Sequence, residues 1–205
     1  MNTEAIRTRA VAMMTGKPEP PCEPGYRLHH GQRVETLALE IAEREKLDVD
    51  RAGLAMGALL HDVGKADCNK DESHAVKGAA IVREQFADLM DAAELEAVAQ
   101  IVLHHYDRPN SIWFEGKEKP VWSQNTLLVQ DADVLDHFGV PGLWLTLHWA
   151  THKQFTPSQT INEWFTSEYM CSWRREARRS LNFQTSRRLL ELRIAQMDDF
   201  FRRLK

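Results

Sequence analysis

Apolar residues recur at helical spacing along almost the whole chain. Thr3 to Met14 carries a short helical rhythm, and the stretch from Gly16 to Gly25, with four prolines, breaks it. Val34, Leu37, Ala38 and Ile41 stand at i, i+3, i+4, i+7 and predict an amphipathic helix over about Leu28 to Lys46. Asp50 sits at an N-cap position before Arg51 to Asp62, a segment apolar nearly all round, as a central buried helix should be. Gly64, just beyond, is placed for a left-handed helix end. Further helices are predicted over Ser73 to Phe86, Ala92 to His105 and Ser123 to His137, with a loop rich in Pro, Gly and aromatics from Tyr106 to Pro120. Gly139-Val140-Pro141-Gly142 breaks the pattern, and Leu143 to Lys205 predicts two or three helices. The last runs from about Gln184 to Leu204, with Leu189, Leu192, Ala195, Met197 and Phe200 in its apolar stripe. No strand-like alternation and no internal repeat interrupts this reading. The expectation is a single all-α domain over residues 1–205: an N-terminal helix and connector (1–25), a metal-site core (26–139) and C-terminal helices (140–205).

Composition changes the picture little. At 205 residues, 43% apolar and 27% charged, the chain can bury one proper core. A net charge of −4 points neither to nucleic acid nor to an anionic membrane. No apolar run reaches the roughly 18–20 residues needed to span a bilayer, and Met1 to Met14 lacks the apolar block of a signal peptide. Cys22, Cys68 and Cys171 are too few and scattered for a disulfide framework, so a reducing cytoplasm is expected. The six tryptophans all lie between Trp113 and Trp173 and leave core and homodimer interface open as readings.

The chemistry lies in His61-Asp62-Val63-Gly64-Lys65, where an ionisable pair ends the apolar run Ala52 to Leu60. Burying such a pair is costly unless it is paired or binds a metal. His30 stands upstream, His74 and His104-His105 downstream, and Asp131-Ala132-Asp133 closes the series. Neutral imidazoles with carboxylates suit Fe, Mn, Zn or Ni better than a thiolate site would. Adjacent helix residues point about 100° apart, so His61 and Asp62 can converge on one ion only at a helix end, which Gly64 supplies. A lone histidine is more often exposed or satisfied than a ligand, and His29, His137, His148 and His152 are read that way. For His74 a surface position at a helix N-terminus is an even alternative. Asp131 and Asp133 lie about 200° apart on a helix, and periodicity does not choose between them.

Taken together, His30 in HGQRV, His61-Asp62 in LLHDVGK and Asp133 in QDADVLD resemble the signature of the HD-domain superfamily of metal-dependent phosphohydrolases, in its HDIG variant. The C-terminal stretch Leu181 to Thr185, followed by a helix containing Arg193, resembles the small stand-alone bacterial HD hydrolases. His74 in HAVKG is similar to the His-x-x-x-Gly segment of HD-GYP and related dinuclear members; with His104-His105 it implies a second metal, bridged by Asp62. The GYP tripeptide is absent, so cyclic-di-GMP is not a supported substrate.

The resemblance implies one or two divalent transition ions (Mn, Fe, Co, Ni or Zn) held by His30, His61, Asp62, His74, His104, His105 and Asp133. It implies hydrolysis of a phosphate ester or anhydride of a nucleotide or other small phosphorylated metabolite by metal-activated water. Asp62 and Lys65 are the expected catalytic residues. Lys65, Arg33 and Arg108 are candidates for the substrate, although pairing with a carboxylate suits Arg33 better. Lys117 and Lys119, with Trp113 and Phe114, could line the substrate's approach. Two rivals stand beside this reading. One is a di-iron HD-type oxygenase on His30, His61, Asp62, His74, His104 and Asp133. The other is a non-catalytic sensing or interaction module using the positive helix face Arg174, Arg175, Arg178 and Arg179, for which a solvated face balanced by Glu168 and Glu176 is the plainer explanation.

Overall fold

A computed structural model describes residues 1–15, 22–67 and 72–204. The expectations that fall on 16–21 and on Cys68 lie outside the described residues. Ten α-helices and no strand are found among those described. They are α1 (Thr3–Met14), α2 (Tyr26–Arg44), α3 (Arg51–Leu60), α4 (His74–Gln85), α5 (Ala92–His104), α6 (Gln124–Asp136), α7 (Gly139–His152), α8 (Pro157–Thr166), α9 (Glu168–Ser180) and α10 (Gln184–Arg203). Short 3-10 turns cover Val63–Asp67 and Ile112–Phe114.

Helix starts follow the capping chemistry of the sequence. Asp50 accepts hydrogen bonds from the amides of Ala52 and Gly53 at the head of α3. Asp91 and Glu94 form a reciprocal capping box on α5, and Thr156 with Gln159 does the same on α8. Each such cap is worth about 1 kcal/mol.

The apolar residues form two clusters that meet at α3. Leu54 and Ala58 join Ile41, Leu128, Phe138, Trp164, Leu190 and Phe201 in one. Met56, Leu59 and Leu60 join Ile6, Phe86, Val98 and Val102 in the other. A helix wedged between two cores must be apolar on both faces, which is why α3 has no polar stripe.

Several expectations change. Gly64 is not left-handed: among the described residues the positive-φ glycines are Gly25, Gly116 and Gly139. Its hydrogen is needed for closeness, since a Cβ there would lie 2.1 Å from the carbonyl oxygen of His74 and 2.5 Å from the amide nitrogen of Gly78. The Gly139–Gly142 segment opens a helix instead of interrupting the chain. Pro141 falls in the first turn of α7, where the missing N–H costs nothing. A Cβ at Gly142 would meet the His137 carbonyl at 2.3 Å. The C-terminal part therefore holds four helices, because α7 is continuous with the segment read as a break and α8 and α9 are separated only by Ser167. On α10 the buried face is Leu190, Ile194, Met197 and Phe201, while Leu192 is 62% exposed. The expected stripe shares Met197 with this face and flanks it at Leu189 and Phe200, which are partly buried against the same core. Among the described residues no helix is long and apolar enough to cross a membrane.

Two ties fix the C-terminal helices against α6. Asp131 accepts from the backbone amides of Asn182 (2.8 Å) and Phe183 (2.9 Å), at the start of α10. Arg193 donates to the carbonyls of Leu135 (2.9 Å) and Phe138 (3.2 Å). Asp131 thus faces away from Asp133 and has a structural task.

Candidate metal centre

Two close backbone approaches and two helix ends bring the histidines together. A Cβ on Gly31 would sit 2.4 Å from the Leu59 carbonyl oxygen, so α2 and α3 touch backbone to backbone beside His30 and His61. α3 stops at Leu60, and the chain turns through His61 and Asp62 into the 3-10 segment, so both side chains leave the helix end. Gly64 against Gly78 presses that turn onto α4 and brings in His74. α5 stops at His104, which frees His105 to turn inward.

The result is two triads of donor atoms, each within 4.8 Å of one another: His30, His61 and Asp133, and Asp62, His74 and His105. In the first, His30 Nε2 is 3.1 Å from His61 Nε2 and 3.3 Å from Asp133 Oδ1. In the second, His74 Nε2 is 3.1 Å from His105 Nε2, and Asp62 Oδ1 is 3.7 and 3.6 Å from the two. Asp62 also reaches the first triad, with His61 Nε2 3.8 Å from Oδ1 and His30 Nε2 3.8 Å from Oδ2. All but His74 are buried.

The surroundings decide what such a cluster can hold. His61 Nδ1 donates to the Ala58 carbonyl and His105 Nδ1 to the Val102 carbonyl, both at 2.7 Å. His30 Nδ1 donates to Asp136 at 2.7 Å, and Arg33 donates to both oxygens of that same carboxylate. Each ring therefore aims Nε2 inward, and two such nitrogens 3.1 Å apart call for a proton or a metal cation between or beside them. Asp62 Oδ1, buried and without a hydrogen-bond partner, points into the same space. Burial alone would disfavour a charged His30, yet its bonds to Asp133 and Asp136 raise its pKa to about 9. Burial also opposes ionisation of Asp62 and Asp133, but the surrounding histidines, with Lys65 beside Asp62, hold both well below the usual carboxylate range. His105, with burial dominant, is pushed down to about 3 and stays neutral. A pocket with converging imidazole nitrogens, ionised carboxylates and an orphaned oxygen fits one or two divalent ions, which would take the place of the His30 proton.

The remaining candidates separate clearly. His104 is turned away by the step along the helix: its Nδ1 lies 2.9 Å from Asp107 and its ring stacks on Trp122 at 3.9 Å. Of the doublet, His105 takes the inward place, and a six-donor set would contain it in place of His104. Arg33 bonds Asp136, 2.9 Å away, and so supports His30, while its partly exposed side chain also lines a separate groove with Tyr26 and Trp144. Lys65 lies 2.8 Å from Asp62 Oδ2 with its side chain 31% exposed, and Arg108 lies 3.2 Å from Asp133 Oδ2. Arg27 approaches Asp62 Oδ2 at 3.2 Å. Arg27 and Asp136 carry no expected site role in the sequence reading, and His137, read as exposed or satisfied, is satisfied by the Asp133 carbonyl at 2.8 Å. For Asp136 the available signal was its place three residues after Asp133, on the same helix face.

A cleft of about 790 Å³ opens from Arg108 between the loop that follows α5 and the face of α9. Trp113, Tyr169 and Trp173 line it, with Arg175 and Arg179. Lys117 and Lys119 are exposed and outside its wall. The four arginines of α9 do not form one free positive face. Arg174 donates to the Trp164 carbonyl, Arg178 pairs with Glu191 at 2.7 Å, and Arg179 lies 3.2 Å from Glu115.

Comparison with known proteins identifies the family and the fold. The family model described as HD domain matches residues 27–138, which contain every donor of both triads. YpgQ from Bacillus subtilis, solved in complex with ADP, is 20% identical, with a TM-score of 0.63 over 99% of this chain and 93% of YpgQ. An HD-superfamily hydrolase from Bacillus thuringiensis is 22% identical, with a TM-score of 0.65 over 98% of this chain and 93% of its own. A predicted HD superfamily hydrolase from an uncultured Thermotogales bacterium is 20% identical, with a TM-score of 0.63 over 98% and 89%. These likenesses establish the fold. With the family match covering more than half of the 205 residues, the chain belongs to the HD domain family.

Proposed function

We propose that the protein is a metal-dependent phosphohydrolase that cleaves a phosphate ester or anhydride of a nucleotide or small phosphorylated metabolite. The observation that carries this reading is the pair of donor triads joined through Asp62, with a basic cleft at their edge. His30, His61 and Asp133 would hold one divalent ion, His74 and His105 a second, with Asp62 between them. Such ions, when bound, lower the pKa of water toward neutrality and offset charge on phosphoryl oxygens.

The chain's own residues do the rest. Arg108 touches Asp133 and also lines the cleft, so its guanidinium stands where a substrate phosphate would pass from cleft to centre. Lys65, partly exposed beside Asp62, offers a second point charge for a phosphoryl oxygen. Arg33 and Asp136 keep the His30 ring in register. The aromatic wall of the cleft suits a nucleobase, and ADP in the YpgQ structure supports a nucleotide as the first class to try.

The test is metal analysis of the protein as purified, followed by a nucleotide and phosphoester panel with added Mn, Co, Ni and Mg. Metal-dependent turnover that falls at least 1,000-fold, on the order of the loss expected when a central catalytic group is removed, in Asp62→Ala would support the reading. Identical, negligible turnover by wild type and Asp62→Ala across the panel would overturn it. Mixed-valence iron signals in aerobically purified protein would point to the oxygenase instead.

A further inference from the structure

A second cavity, of about 510 Å³, lies among α7, α8 and α9 on the far side of Trp173 from the cleft. Trp164, 1% exposed, is one wall; Trp149, Leu145 and Met170, all partly exposed, are others. The cavity opens to solvent, and its volume falls within the roughly 300–1,000 Å³ typical of small-molecule sites. We infer that this cavity is a separate binding site for an uncharged planar aromatic molecule.

Two features of the lining select that class. Three tryptophan side chains surround the space, and aromatic walls favour aromatic occupants in edge or offset contact by about 0.5–1.5 kcal/mol per pair. The charged lining groups are one of each sign, Lys153 and Glu163, and so favour no ionic ligand.

The cavity is not isolated from the metal centre. Tyr169 and Trp173 border both it and the cleft. The Trp173 ring is 6.0 Å from that of His137, which is 5.4 Å from that of His30. The inference stands apart from the hydrolase reading, because its test is read by binding without turnover.

The experiment is calorimetric titration of the full chain with 2-naphthol, with naphthalene-2-sulfonate and octan-1-ol as comparison probes. Saturable 1:1 binding of 2-naphthol is expected, at least tenfold tighter than either comparison probe. Leu145→Trp, which fills the cavity from a half-exposed position, should weaken 2-naphthol at least tenfold with circular dichroism and metal content unchanged. Trp149→Ala, which removes one aromatic wall, should weaken it as well. Absence of saturable binding, equal binding of the sulfonate, or unchanged affinity in both variants would overturn the assignment. So would a dimer that must dissociate before 2-naphthol binds, since a second copy would then be the occupant.

Discussion

The Nε2 atoms of His30 and His61 face each other at 3.1 Å, each on a ring whose Nδ1 is already bonded to a fixed acceptor. Neither ring can turn away without breaking a 2.7 Å hydrogen bond to a buried partner. The pair is therefore arranged to receive a cation, and folding stability should depend on one. A ligand at 100 times its Kd adds about 2.7 kcal/mol. Chelation of the purified protein should accordingly lower its melting temperature, and restoring the ion found by elemental analysis should recover it. His61→Ala should melt at the same temperature with and without chelator.

Asp136 acts on the centre through His30. Asp136→Ala removes the acceptor that sets the His30 tautomer, and loss of such an outer partner typically costs 10–100-fold in metal affinity. Competition with a fluorescent chelator would measure it. Asp131→Ala, five residues earlier on α6, is the matched control. It strands the amides of Asn182 and Phe183, which should cost about 1–3 kcal/mol in denaturant unfolding while leaving metal affinity near wild type.

Gly64→Ala tests whether closeness, not backbone freedom, is what that glycine supplies. A Cβ 2.1 Å from the His74 carbonyl must push α4 away. Overpacking of this kind costs about 1–3 kcal/mol. The displaced helix carries His74, so bound metal should fall from two equivalents toward one. Unchanged stoichiometry by elemental analysis would contradict the expectation.

A pH effect is expected on the opposite side of the second core, between α4 and α5. Arg83 bonds Glu96 through two nitrogens at 2.9 and 2.8 Å, and Gln100 adds a third contact at 2.7 Å. Arg83 first, then Gln100, holds Glu96 down to about 2. The folded value lies below the unfolded value of roughly 4.3. The pair's contribution is therefore present above about pH 4.3 and is lost as pH falls through about 2. The group is exposed, so the stability change is small. In Arg83→Gln the Glu96 carboxyl, followed by NMR, should titrate closer to the ordinary glutamate range.

Helix existence was legible from periodicity because burial on one stripe leaves a 3.6-residue trace, as in Val34, Leu37, Ala38 and Ile41. The all-round apolarity of Arg51 to Leu60 likewise marked a helix wedged between two cores. What periodicity does not carry is close packing between distant segments. Gly64 looks the same in sequence whether it supplies a left-handed turn or a missing Cβ. The choice between His104 and His105 depends on where α5 stops, to within one residue. Asp131 and Asp133 were separable by angle but not assignable, because either face of α6 could have met the histidines. The support from Asp136 and Arg33 is a contact across 106 and 103 positions of chain, which no local pattern encodes.

That span bears on how the protein is made. His30 leaves the ribosome more than a hundred residues before the carboxylate that steadies it. Until α6 has emerged and docked, the first triad lacks Asp133, and its two imidazoles have only solvent or each other. If the centre takes up an ion as proposed, that uptake is a late event in biogenesis, and a loaded centre certifies that the fold has closed.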